Sequence, residues 1–446
     1  NNTVNVRFVL CLLQGDNLGI HSTLCMSSGF NATFYCRFCR RPKELLKRDV
    51  KEYADCMRRR ADYEEDVDIN MHSETGIQAY SVFNSLPSFH VVENKSVDPM
   101  HDLFSTGICK YGFTEILDYY IYHKKYLTID DFNKTRRIIG DLSLDSELKR
   151  MPNISETYCS REKRKSVSFR LTSNEMRVLS HYFTFIVGRF VPRDDEIWKY
   201  CTTLVKLVDM CLKRSFSAEE LDMLQDLISS HHELYLHHFK RDLKPKHHFL
   251  VHYPNVISTS GPVEKMMCFR NEARHKGFKQ YSHIMTSRKN ICYTLCVKAS
   301  LQFAYELLND NFLKVTVQGN FNLCDIRVRS YYKMLIQPLN IDSGFEIMFS
   351  NSIVFKGTDY KIGNFIALFN NLSKCLFQIL DRAKHDNVYF LIVQSWSIGN
   401  YDEHFLAHEA VGSLPIVDII PIKIFDFPPI TLYNIAGRFY FRNKPS

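Results

Sequence analysis

The sequence predicts an α+β protein, and three observations carry that expectation. An apolar run, Val4 to Leu13, opens the chain at the length of one buried strand. A long block over 100–241 repeats apolar side chains at the 3.6-residue helical period. From Phe321 onward the texture becomes short β-branched and aromatic runs separated by turn residues.

A chain of 446 residues has room for two or more domains with an ample core. Hydrophobic content of 45% and charged content of 24% are ordinary for globular proteins, and the sparse glycine and proline argue against long disordered linkers. The net charge of +8 is compatible with a nucleic-acid partner without requiring one. Fourteen cysteines are too dilute for a disulfide scaffold and fit a reducing compartment. No apolar run approaches a membrane span, so no membrane partner is expected. No charged leader precedes the first apolar run. The chain starts without Met and opens almost at once into that run, as a piece of something longer would.

The first strand is expected to end in the turn Gln14-Gly15-Asp16-Asn17. An acidic residue at the C-terminal end of a buried strand is a common catalytic position in α/β folds. Asp16 fits equally well as the cap of a helix over Leu18 to Ser27. Cys36 and Cys39 have the CxxC spacing that lets two thiolates reach one ion, but two further ligands are needed and none is close in sequence. Incidental thiols are the alternative. Residues 41–75 are highly charged and read as an exposed helix and loop. In Asp98-Pro99-Met100-His101, Asp98 is a natural helix cap with proline at the first helical position, and His101 falls on its side of the first turn.

Residues 103–126 read as helical, and 130–165 as a polar stretch ending in Arg161-Glu162-Lys163-Arg164-Lys165. That cluster suits a nuclear signal, a phosphate contact or a solvated loop. Helices are expected over Asn174 to Val191, Asp194 to Lys213 and Ala218 to Arg241, the last opened by Ser217 with acidic first-turn residues. Seven histidines then crowd one segment, among them His247, His248 and His252. Spacings of five (247 and 252) and four (248 and 252) both resemble the His half of a mixed zinc site.

After the breaker Gly261-Pro262, Cys268 to Lys279 reads as a helix with Glu272, His275, Lys276 and Lys279 on one face. One carboxylate among cations suits a metal ligand beside a phosphate backbone, and equally a solvated face with ion pairs. Arg288 to Asn309 reads as an amphipathic helix. The β-rich tail, with strands expected at Ile347–Phe349, Ser352–Phe355, Asn364–Phe369, Val388–Val393 and Arg438–Phe441, reads as a barrel or sandwich without a catalytic motif.

Taken in order, Gly15-Asp16-Asn17-Leu18-Gly19, Cys36-x-x-Cys39, Asp98-Pro-Met-His101-Asp-Leu-Phe, His247-His248-Phe-Leu-Val-His252-Tyr-Pro and Phe269-Arg-Asn-Glu272-Ala-Arg-His-Lys276 resemble eukaryotic transposase-derived proteins. The set is similar to the CACTA/Mirage/Chapaev group of cut-and-paste DNA transposases and, more distantly, to the V(D)J recombinase catalytic subunit. It covers roughly residues 4–310. The resemblance implies an RNase H-like α/β core, interrupted by a mainly helical insertion in which a Cys pair and a His pair hold zinc. It makes Asp16 and Glu272 catalytic carboxylates binding Mg or Mn, and Cys36, Cys39, His247 (or His248) and His252 the zinc ligands. Asp98 with His101 matches a D(2)H motif of the group. Arg274, His275, Lys276 and Lys279 are candidate DNA contacts. Two-metal strand chemistry needs several carboxylates on two ions.

The triad's first Asp belongs on an earlier strand, yet only Asn1-Asn2-Thr3 precede Val4. The expectation is therefore a protein of transposase ancestry, nuclear and DNA-bound, a possible homo-oligomer, and catalytically inactive as this chain. The domains expected are 1–40 and 256–312 as parts of the core, 41–255 as the insertion and 320–446 as the β module. The rival reading is a non-catalytic nuclear scaffold that binds DNA or protein.

Overall fold

A computed structural model describes residues 9–160, 162–286, 289–309, 317–336, 339, 346–355, 357–369, 374–422 and 428–443. They fall into two compact units. One lies within Asn1–Arg137 and Glu147–Ala273, the other within Ile138–Ser146 and Arg274–Lys444.

The first unit is mainly helical. Of the expected opening strand, residues 4–8 lie outside the described residues, and 9–16 take no regular structure. Leu10 and Leu13 instead lean on a core of Ile20, Leu24, Met26 and Tyr63. Asp16 accordingly ends no strand. Its extended backbone and its Oδ1, which accepts from Gly19 N–H at 2.5 Å, cap helix α1 (Asn17–Thr23). A short helix α2 (Lys43–Leu46) follows the CxxC segment. The charged stretch after it is not wholly exposed: Arg58 and Asp66 form a buried pair at 3.1 Å, and Arg58 also donates to the carbonyls of Cys36 and Thr75. Asp98 caps a single turn, Met100–Phe104, accepting from His101 N–H at 3.3 Å.

The helical block forms as its period requires. It comprises α3 (Ile108–Asp118), α4 (Ser173–Val187), α5 (Glu196–Cys211) and α6 (Ala218–Phe239). Thr172 with Glu175 and Ser217 with Glu220 close capping boxes on α4 and α6, and Asp195 caps α5. Inside, the Phe113 and Phe183 rings stack at 4.0 Å. At Gly112 an added Cβ would lie 2.6 Å from the ends of the Tyr200 and Leu204 side chains, which would have to move aside to keep α3 and α5 this close. Three further helices, α7 (Pro245–Val251), α8 (Tyr253–Ser260) and α9 (Phe269–Ile284), carry the chain out of the block. The only named strands among the described residues of this unit are β1 (Ser155–Cys159) and β2 (Arg164–Ser168), an antiparallel pair. They do not make the sheet of an RNase H-like core.

In the second unit, α10 (Ile291–Leu308) buries no residue, so the expected amphipathic face is not covered; Arg288, where it was to begin, lies outside the described residues. The tail is β-rich. Strands β3 (Phe321–Asp325), β4 (Glu346–Ser350), β5 (Phe365–Phe369), β6 (Lys374–His385), β7 (Val388–Asp402), β8 (Ala407–Pro421), β9 (Tyr433–Ile435) and β10 (Arg438–Phe441) form one antiparallel sheet. Its order is β9-β10-β8-β7-β6-β4-β3, with β5 also paired to β6. Asp386 and Asn387, both at positive φ, turn β6 into β7, as the twist of a tight hairpin demands. The result is an α+β chain whose large sheet is C-terminal. No helix among the described residues is long and apolar enough to cross a membrane.

Candidate metal centre

Two segments far apart in sequence meet at one buried point. Cys36 and Cys39 come from the loop before α2, His248 from α7 and His252 from its C-terminal cap. One ligand atom from each of the four lies within 4.8 Å of all the others, and all four side chains are buried. Among the described residues no other group of three or more His, Cys, Asp and Glu is so placed.

The internal distances are those a tetrahedral ion imposes. Zn–N bonds near 2.0–2.1 Å and Zn–S bonds near 2.3 Å put neighbouring ligand atoms about 3.3 Å (N to N) and about 3.6 Å (S to N) apart. Here His248 Nε2 and His252 Nε2 are 3.2 Å apart, Cys39 Sγ and His248 Nε2 3.4 Å, and Cys36 Sγ and His252 Nε2 3.6 Å. On the far side of the ring, Glu52 Oε2 lies 2.6 Å from His252 Nδ1, which places that proton on Nδ1 and turns Nε2 toward the cluster. Burial resists ionisation of Cys36, but its hydrogen bond with Cys39 and the nearby His248 and His252 outweigh it and bring its thiol well down. That same hydrogen bond, then burial, pushes the Cys39 thiol up. Burial holds His248 toward its neutral form, the form that binds metal. The donor set fits a metal such as zinc.

The sequence placed His247 first in this set, and the structure seats His248 instead. On a helix, positions four apart are about 40° apart around the axis, whereas positions five apart are about 140° apart. His248 and His252 therefore face one point. His247 turns the other way, into a buried stack with Tyr235 at 4.8 Å and His231 at 5.8 Å, and its Nδ1 accepts from Lys244 N–H. Its role is packing and capping.

The carboxylate candidates gather at a second place. His101 Nδ1 lies 2.7 Å from Asp98 Oδ2, and its Nε2 lies 3.5 Å from Glu272 Oε1. Asp98 Oδ2 also accepts from Asn17 N–H, next to Asp16. The Cys268 thiol, at the foot of α9, is pushed up to about 12 by burial and by Asp98, Asp16 and Glu272. So Asp16, Asp98, His101 and Glu272 share one neighbourhood, but they are not packed as a metal group, and nothing in their placement supports Mg or Mn. The hydrogen bond that Asp98 accepts, then the Asp98 charge, holds the His101 imidazole toward its cationic form against burial.

A buried polar chain links the two places, and the sequence carried no signal for most of it. Arg37, the residue after Cys36, donates to Ser96 O and to Asn17 Oδ1. Asn17 Nδ2 donates to Asp102 Oδ1, whose other oxygen accepts from Tyr253, the residue after His252. Burial and the neighbouring Asp98 push the Asp102 carboxyl up to about 7. Arg274, His275, Lys276 and Lys279 are exposed along α9 and are not drawn into either place. No family model matches the sequence, and no curated protein is similar enough to match.

Proposed function

We propose that this is a DNA-binding protein of transposase ancestry in which Cys36, Cys39, His248 and His252 hold a structural zinc. One observation carries the proposal. The resemblance implies that a Cys pair and a His pair meet across the insertion, and the two pairs do meet, through contacts spanning 209 and 216 residues. Zinc there is a clamp: four protein ligands leave no position open for substrate, so its contribution is to folding.

Ancestrally, such a protein cleaves and rejoins DNA strands on Mg or Mn held by carboxylates, an RNase H-like core presenting Asp16 and Glu272. In this chain the reading is of binding without cleavage. Glu272 is engaged with His101, Asp16 caps α1, and Asp98 is committed to Asn17 and His101. The exposed cations of α9 are the proposed contacts to the phosphate backbone. A nuclear location belongs to the same reading, through the resemblance. The test is a titration of labelled duplex DNA with protein whose zinc has been measured, with Mn present. Expected are binding that weakens steeply with salt, loss of binding on zinc removal, and no nicking. Absence of DNA binding by the zinc-loaded protein would overturn the proposal.

A further inference from the structure

The same two segments that supply the Cys and His pairs also build a basic pocket, of about 420 Å³, just outside the metal centre. Its walls are Tyr35 with Lys43 and Lys47 on one side, and Arg241, Asp242 and Lys244 on the other. The two walls are tied by Leu243 N–H donating to Lys47 O at 3.0 Å, and by Arg48 paired with Asp242 at 2.8 Å. Four cationic side chains thus face one carboxylate, and that carboxylate is already drawn to Arg48.

The charges are unequally satisfied. Lys47 is paired with Glu44, and Arg241 with Glu115 and Glu162. Lys43 and Lys244 form no ion pair among the described residues; the Lys244 ammonium sits 3.8 Å over the Tyr111 ring, which leaves its charge uncancelled. Lys244 is exposed and Lys43 and Lys47 half-buried, so an incoming anion can reach them. Two ammonium groups without an ion pair, on a rim tied at two points, suit a phosphate oxyanion, which lysine binds as a point charge.

The geometry points to this pocket as a phosphodiester site, in which Lys43 and Lys244 contact one phosphate of a nucleic-acid strand. It rests on the reading of a nucleic-acid partner but assigns a contact distinct from α9.

The experiment compares wild type with a Lys43→Gln/Lys244→Met variant, binding labelled duplex DNA and RNA of the same sequence across a salt series. Methionine keeps the apolar stem over Tyr111. Expected is a loss of affinity on the order of tenfold at low salt, with the slope of log affinity against log salt reduced by about 1 to 2. Zinc content and melting temperature should be unchanged. Lys43→Glu alone, a charge reversal on a side chain without an ion pair, should also weaken binding. If both variants bind DNA and RNA with wild-type affinity and slope, the pocket is not a phosphate site while the DNA reading stands. If RNA binds and responds to the variants but DNA does not bind, the pocket stands and the DNA reading fails. If wild type binds neither, both are overturned.

Discussion

His248 Nε2 and His252 Nε2 lie 3.2 Å apart in a buried site, each with a cysteine sulfur on its other side. Two imidazole nitrogens this close share either a proton or a metal ion. Their orientation is that of two ligands to one ion, set by the i,i+4 geometry of α7 and by Glu52 behind His252.

The contribution of Glu52 is separable from the ligands. It touches His252 Nδ1 and Asn255, not the cluster itself. Glu52→Gln is expected to leave zinc bound but weaken it about 10- to 100-fold, the usual effect of losing such a carboxylate. Competition against a chromophoric chelator measures this. Unchanged affinity would remove Glu52 from the centre.

Asp102 gives the first unit a pH signature. Its carboxyl is raised to about 7, while an unfolded aspartate titrates near 3.9. Between those values the folded chain holds a proton that the unfolded chain has lost, so this group's contribution to stability falls as pH rises from about 4 to about 7. Asp102→Asn keeps an acceptor for Asn17 and is expected to flatten that part of the curve. Urea titrations of both proteins at several pH values check it; parallel curves would contradict the assignment.

The Ser217 cap on α6 offers a simple stability test. Its hydroxyl accepts from Glu220 N–H, and Glu220 reaches back to Ser217 N–H. Ser217→Ala is expected to cost the helical unit about 1 kcal/mol, and Ser217→Asp much less. Denaturation followed by far-ultraviolet circular dichroism reads the difference.

What the sequence made legible follows from how local each signal is. The α6 cap and the strands at Phe365–Phe369 and Arg438–Phe441 were visible because capping residues and short aromatic and aliphatic runs act over a few positions. Strand β6 was not, because Gln378, Asp381, Arg382 and Lys384 interrupt its apolar pattern and are tolerated only by neighbours on the sheet. Cys36 and Cys39 were legible from spacing alone. The choice between His247 and His248 was not, since adjacent histidines differ only in which way the helix faces, and packing against Tyr111 and Tyr235 fixes that. The side-chain partnerships of Arg37, Asn17 and Asp102 left no trace in the sequence, because the partners lie 16 to 151 residues away.

The central claim is that Cys36, Cys39, His248 and His252 hold one zinc, and native mass spectrometry of the purified chain tests it most directly. One zinc per chain is expected in wild type and in His247→Asn, and none in His248→Asn. Zinc absent from wild type, or retained by His248→Asn but lost from His247→Asn, would contradict it.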